Sequence, residues 1–369
     1  MKILFVSTVS NTVNTFLIPH IRMLRELGHE VDVAFNIVQD VHPELARMGC
    51  EIYNLEFNRS PLKKQNYIAY KKLKKIIEHN NYDVVHTHTP VASACVRFAC
   101  KTNSSVQVVY TAHGFHFFKG APFLNWMIYY PIERWLARYT DVIITINSED
   151  YFKAKNSLKA RKIEYVPGVG INTQDNDYVS INKTEKLRAL GLPEEAFILL
   201  SIGELNKNKN HETVIKALAK LNKSNAYYVI CGEGGSRKYL EKLIVSHGLE
   251  NKVKLLGFRT DVDTMYKLAD VFVFPSFREG LSVSLMEAMA NGVPVVGSDI
   301  RGNSDLIEDG KEGYLKDPND IEGFMEAIST LMNDKTTRNK FGVESKKKIK
   351  TYDYSNVLKD MEKIYLTCT

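Results

Sequence analysis

One stretch constrains this chain more than any other: Ser276-Phe-Arg-Glu-Gly-Leu-Ser-Val-Ser-Leu-Met-Glu-Ala-Met-Ala-Asn-Gly-Val-Pro-Val-Val296. It follows Val271-Phe-Val-Phe-Pro275, an apolar run that reads as a buried strand. A short loop then holds Arg278, Glu279 and Gly280. A helix spans roughly Ser284 to Ala290, with Gly292 at its C′ position and Pro294 shortly beyond. Val293 to Gly297 reads as the next strand. Such a unit opens a loop and a helix N-terminus beyond the strand ends. The unpaired amides and the positive end of the helix dipole there favour an anion.

Glu279 sits in the loop and Glu287 inside the helix, with seven residues between them. A carboxylate beside a phosphate would be repelled. These two side chains therefore suit hydroxyl groups, at about 1.5–3 kcal/mol per charge-assisted hydrogen bond. A ligand carrying both phosphates and hydroxyls is a nucleotide sugar. A plainer account also fits. Ser284-Leu-Met-Glu287 has capping-box spacing, and Glu279 could be a solvated loop charge. Spacing leaves both accounts open.

The rest of the chain repeats one pattern. Lys2 to Val6 reads as a strand, Ser7 to Asn14 as a polar loop, and an amphipathic helix ends at Gly28. Strands are expected at Val31–Phe35, Glu51–Leu55, Val84–His86, Gln107–Tyr110 and Asp141–Ile146, with helices between them. A second series starts at Phe197–Ile202 and continues through Tyr227–Ile230 and Val253–Leu256. Strands alternating with helices predict parallel, doubly wound sheets, and the 369 residues are comfortable for two domains. The polar, aperiodic segment Thr173 to Asn182 is the expected linker. The domains are expected at 1–170 and 171–349, with a terminal helix over 350–369 crossing back to the first. Gly310 to Tyr314 reads as a turn.

Charge is uneven. Residues 1–165 hold 21 Lys and Arg against 14 Asp and Glu, and the remainder holds 28 against 29. Lys63, Lys64, Lys71, Lys72, Lys74 and Lys75 supply much of the excess. They suit either a solvated helix face or an anionic membrane surface. No nucleic-acid motif accompanies them. Phe115 to Tyr139 is dense in aromatics, with Trp126 and Trp135 among them. It suits a buried helix between domains, or an apolar patch at a bilayer or isoprenoid. No apolar run approaches the roughly 20 residues that span a bilayer. Met1 to Val6 is broken too early for a signal peptide, so a cytoplasmic protein is expected. The five cysteines show no paired spacing and read as free buried thiols.

Ser276 to Pro294, with Glu279 and Glu287 at that separation, resembles the signature of glycosyltransferase family 4. The resemblance implies the GT-B fold: two Rossmann-like domains facing a central cleft. It implies transfer from a nucleotide sugar with retention at the anomeric carbon. Glu279 would meet the donor sugar and Glu287 the ribose. Arg278, Gly280, Leu281 and Ser282 would complete the phosphate-binding turn.

Gly203-Glu-Leu-Asn-Lys-Asn-Lys-Asn210 resembles the family's diphosphate loop, with Lys209 at the lysine position. Glu204 stands where the family has arginine, and Asn210 where it has glycine. Either Lys207 or Arg278 would supply the second cation, or Glu204 has another role. Gly232 lies in a glycine-rich turn that admits a ligand to the backbone. Phe258 is the nucleobase candidate, its alternative being a core residue.

His113-Gly114 resembles the family's His-Gly motif, so His113 would hold the donor sugar beside the scissile bond. Ser10, Asn11 and His116 are acceptor-side candidates. The family's first loop is often glycine-rich, whereas Ser7 to Asn11 has no glycine.

No metal is expected. His86 and His88 lack a third ligand, and Asp261-Val-Asp263 is more simply a helix cap. No cofactor is expected beyond the UDP-sugar as substrate.

His113-Gly-Phe-His-Phe-Phe-Lys-Gly120 resembles bacterial enzymes of capsule or exopolysaccharide assembly. Their acceptor is a polyprenyl-diphosphate-linked saccharide at the inner face of the plasma membrane. Two other readings remain: a UDP-sugar 2-epimerase on the same fold, and a non-catalytic GT-B partner protein.

Overall fold

The computed structural model describes residues 1–103, 105–173, 182–221, 223 and 225–368. The chain forms two units, Met1–Gly170 with Tyr354–Thr369, and Ile171–Asp353. Residues 174–181, most of the expected linker, lie outside the described residues.

The first unit holds β1 (Lys2–Val9), β2 (Glu30–Asn36), β3 (Ile52–Asn54), β4 (Val84–His88), β5 (Gln107–Ala112), β6 (Val142–Thr145) and β7 (Lys162–Tyr165). They pair in parallel in the order β3-β2-β1-β4-β5-β6-β7. The second holds β8 (Phe197–Ile202), β9 (Ala226–Cys231), β10 (Val253–Gly257), β11 (Val271–Phe274), β12 (Val295–Ser298) and β13 (Gly313–Lys316). Their order is β10-β9-β8-β11-β12-β13, again parallel.

Each sheet is therefore a Rossmann-like parallel sheet covered by helices. This is why the strands read as unbroken apolar runs rather than alternating ones. Ile3, Leu4, Phe5 and Val6 are all fully buried, two on each face.

The terminal helix Tyr354–Leu366 packs on the first unit against Ile18–Glu26. Val357, Met361, Ile364 and Tyr365 recur at helical spacing, so one stripe enters the core beside Ile3, Phe5 and Val33.

Three local expectations are corrected. Strand β1 runs through Val9 and is followed by helical turns at Ser10–Thr12 and Val13–Leu17, not by a polar loop. The hydroxyls of Ser7 and Thr8 find partners in Val9 and Thr89, so polar residues are tolerated inside the strand. The expected turn Gly310 to Tyr314 holds through Glu312, but its last two residues open β13, whose short, half-polar sequence hides a sheet edge. Asp261 precedes the helix Val262–Leu268 but makes no side-chain cap; its carboxylate binds Arg259 instead.

The thiols are free. Cys50, Cys100, Cys231 and Cys368 are buried, and Cys95 is partly exposed.

Candidate active site

In the second unit the strand order reverses between β8 and β11. Loops leaving these two strands flank the crevice where ligands bind in such sheets. Residues 203–210 leave β8 and residues 275–282 leave β11. Asn208 stitches them together: its amide donates to the Arg278 carbonyl (2.9 Å), and its carbonyl accepts from the Phe277 amide (2.8 Å). Asn210 adopts φ +52°, the left-handed conformation that asparagine tolerates best after glycine. It thus fills a glycine position without losing the turn. Its side chain adds two anchors, donating to the carbonyls of Pro275 (3.0 Å) and Pro318 (2.8 Å).

Lys209 lies across this junction. Its Nζ sits 4.6 Å from the Phe274 ring centre and donates to Glu279 Oε1 at 2.8 Å. Gly203 makes room for it, since a Cβ there would stand 3.1 Å from Lys209 Cε. Gly232 is required by the backbone. At φ +150° its missing Cβ would fall 1.9 Å from the Gly203 carbonyl oxygen. Glu204, Lys207 and Arg278 are exposed.

The helix Val283–Ala290 starts at Ser282, whose Oγ accepts from the Leu285 amide (3.4 Å). Ser282 therefore caps the helix, and the capping-box account of Glu287 does not hold. Glu287 instead accepts the Tyr266 hydroxyl at 2.9 Å. Burial raises the pKa of its carboxyl, the Tyr266 bond opposes this, and Asp263 adds to the rise. Gly280 and Leu281 complete the turn.

Beneath that turn lies a residue that sequence reasoning missed. Arg301 is buried and donates from Nε to the Glu279 carbonyl (3.1 Å). Gly302 next to it would, with a Cβ, come within 2.3 Å of the Gly280 oxygen. The strand-end loop Asp299–Asn303 is legible in the sequence, but not which of its residues turns inward. Phe258 follows β10 and is 75% exposed, which removes the core account of it.

The first unit reverses its order between β1 and β4. His86 and His88 end β4, and His113 follows β5. His88 Nδ1 lies 3.0 Å from His113 Nε2. The other nitrogen of His88, Nε2, is buried without a partner. An orphan N–H is rarer inside proteins than an orphan acceptor. We therefore place the His88 proton on Nδ1, donating to His113 Nε2. His113 then carries its own proton on Nδ1. His86 bridges the Tyr365 hydroxyl (2.5 Å) and Thr111 Oγ1 (2.8 Å), and His20 Nε2 meets the Val169 carbonyl (2.9 Å). The terminal helix thus supplies a partner to this histidine cluster.

Thr89, next to the cluster, holds φ +67°, a strained value for a β-branched residue. Its hydroxyl accepts from the Thr8 amide at 3.1 Å.

Other candidates fall elsewhere in the unit. Ser10 is buried. Its hydroxyl donates to the Gln39 carbonyl (3.2 Å) and accepts from the amides of Val38 and Gln39, so it serves the neighbouring loop instead of facing a ligand. Asn11 Oδ1 is buried and unpartnered. His116 stacks on Tyr129 with ring centres 4.6 Å apart. Among the described residues no group of three or more His, Cys, Asp or Glu is placed to hold a metal ion.

Burial lowers the pKa of all four histidines. His113 falls to about 4, helped by His20, and His86 and His88 lie well below the ordinary value. Each folded-state pKa is therefore depressed, so the unfolded chain binds more protons below about pH 6.5. Stability should be complete above about pH 6.5 and fall toward about pH 4, by up to ~1.4 kcal/mol per pH unit for each histidine. Urea unfolding checks this: the midpoint should drop between about pH 7 and about pH 5, above the ordinary carboxylate range. A flat midpoint would mean that the cluster is charged in the fold.

The family described as "Glycosyl transferases group 1" matches residues 182–348, and "Glycosyl transferase 4-like" matches residues 2–147. EpsD of Bacillus subtilis (strain 168), a protein named as a glycosyltransferase, is 37% identical over 99% of this chain and 96% of its own. The Escherichia coli UDP-Gal:alpha-D-GlcNAc-diphosphoundecaprenol alpha-1,3-galactosyltransferase is 30% identical over 71% of this chain and 70% of its own. The solved structure of Anabaena Alr3699/HepE in complex with UDP superposes with TM-score 0.80 at 19% identity, covering all of both chains. That last likeness concerns the fold.

Proposed function

This chain belongs to glycosyltransferase family 4, the group 1 and 4-like glycosyl transferases, and from that membership we propose its reaction. It moves a sugar from a UDP-sugar, with retention at the anomeric carbon, to a polyprenyl-diphosphate-linked saccharide in surface polysaccharide assembly. The observation that carries this reading is the Lys209–Glu279 pair, held at 2.8 Å by loops leaving β8 and β11. Each member of the pair has a use for a nucleotide sugar. Lys209 would turn to the diphosphate, and the released Glu279 would accept hydroxyls of the donor sugar.

Arg278 and the amides at the start of the helix Val283–Ala290 would share the charge that develops on the leaving UDP. Preorganised donors of this kind account for most of the rate enhancement in many enzymes. No metal is needed in this scheme. Glu287, oriented by Tyr266, would bind the ribose, and the exposed Phe258 would lie over the base. His113 would offer Nδ1–H to the donor sugar, held in that tautomer by His88. Transfer is favoured over epimerisation because the two sequence relatives given above carry glycosyltransferase names. An acceptor of this class is held in a bilayer, so the protein would act peripherally at the inner face of the plasma membrane.

Thermal unfolding with UDP, GDP, ADP or CMP, each with and without EDTA, tests the donor side. A ligand at 100 times its Kd stabilises by about 2.7 kcal/mol, a shift on the order of 5–10 °C here. The expected result is a shift with UDP that EDTA leaves unchanged. No shift with any nucleotide would favour a non-catalytic partner protein.

A further inference from the structure

The helix Phe123–Leu136 carries an apolar face that the fold does not cover. Phe123 is 77% exposed, Leu124 62%, Met127 59%, Ile128 45% and Ile132 50%. These positions recur at intervals of four, so they form one stripe. Single exposed apolar residues need no explanation, but a contiguous stripe does. The helix is anchored from its other side. Glu133 and Leu136 are buried, and Glu133 pairs with the fully buried Arg97. Trp126 and Tyr130 pack against Phe117.

The exposed charges on the helix and at its two ends are cationic, and the acid beside them, Glu149, accepts the Lys119 amide at 2.7 Å. Arg134 and Arg138 are exposed, and Lys119 is exposed just before the helix. Lys101 lies over the rings of Trp135 and Tyr139, and Lys153 over Trp126. The one acid of the helix, Glu133, is consumed by Arg97. The helix is also too short to cross a bilayer: fourteen residues reach about 21 Å. Among the described residues no helix is long and apolar enough to do so. In the same layer, the lysine-rich helix Lys64–Asn80 packs on Pro90–Cys100, which packs on the stripe's helix.

We propose that the helix Phe123–Leu136 is a monotopic anchor that lies in the plane of an anionic bilayer. Phe123, Leu124, Met127, Ile128 and Ile132 enter the acyl boundary, while Lys119, Arg134 and Arg138 meet the headgroups. An apolar stripe alone would also suit a protein partner. The cationic rim, with no exposed acid on the helix, selects a negatively charged surface, and aromatic rings beside lysines are at home in the interfacial zone. The inference rests on the membrane-held acceptor proposed above.

The chain provides its own probe. Its only two tryptophans, Trp126 and Trp135, both lie in this helix. Intrinsic fluorescence of the full chain is titrated with phosphatidylglycerol vesicles and, separately, with phosphatidylcholine vesicles. The expected result is a blue shift with phosphatidylglycerol that weakens with salt and is quenched by brominated acyl chains. The double variant Leu124→Glu, Ile128→Glu should bind at least ~100-fold more weakly. Lys119→Gln with Arg134→Gln and Arg138→Gln should weaken the anionic preference. Both variants should keep the wild-type UDP-induced thermal shift, which separates anchoring from unfolding.

No blue shift with phosphatidylglycerol would overturn the proposal, as would undiminished binding by the glutamate variant. So would a wild-type dimer that the glutamate variant converts to monomer, because a second copy would then cover the stripe. A protein that binds vesicles but no nucleotide would sink the transferase reading and leave the anchor standing. The reverse pattern would sink the anchor alone.

Discussion

Lys209→Met should lower kcat/KM by roughly 10²–10³-fold, the usual cost of removing one preorganised charge from a transition state. Glu279→Gln should cost as much, by loss of its contact with the donor sugar. A purely structural pair would also lose something on mutation. Both side chains are largely sheltered, at 18% and 14% exposure, so either single variant leaves an unmatched charge and should lower the melting temperature. The double variant Lys209→Met, Glu279→Gln separates the two accounts. It removes both charges together, so stability should largely return. If the pair acts on the donor, activity should stay at least ~10²-fold down. Recovery of both stability and activity would make the pair a strut and nothing more.

His113→Ala should be the second large loss, on the order of 10²-fold in kcat/KM, if its Nδ1–H holds the donor sugar in attacking geometry. The profile in pH adds an independent reading. His113 is held near 4 by burial and His20, so the neutral ring persists well below the ordinary histidine range. The acid limb of kcat/KM should lie near about 4, not near about 6.5. His88→Gln is the matching test of a positioning role. It should move that limb and lower kcat, while leaving the UDP-induced thermal shift intact. An unchanged limb and an unchanged kcat in His88→Gln would mean that the 3.0 Å contact between the two rings does not set the tautomer.

The two sheets were legible because both faces of a parallel sheet are buried, so each central strand appears as an apolar run bounded by turns. The loop positions followed, since ligand loops leave the carboxyl ends of strands. Lys209, Glu279, Glu287 and His113 could be singled out from their places beside such ends and from the family pattern. The substitution of Asn210 for glycine looked like a departure in the sequence. In the fold it is conservative, because asparagine keeps the left-handed turn and ties two carbonyls as well.

Other features depend on residues distant in the chain. Nothing near Glu287 announces that Tyr266 orients it, because they meet only when adjacent helices pack. Nothing near His86 announces Tyr365, 279 residues away. Arg301 under Glu279 belongs to a different strand-end loop, brought close because β12 pairs with β11. The aromatic stretch is the sharpest case. Its composition left a buried helix and an exposed patch both open, with Lys119, Arg134 and Arg138 leaning toward the patch, because periodicity says which residues share a face but not what that face meets. Here the sequence determined most of the strands and helices and the side chains that share each face, but not β13 or the helical turns after β1. Only the tertiary structure decided which faces are covered and which charges find partners, because burial and pairing are set by neighbours from elsewhere in the chain.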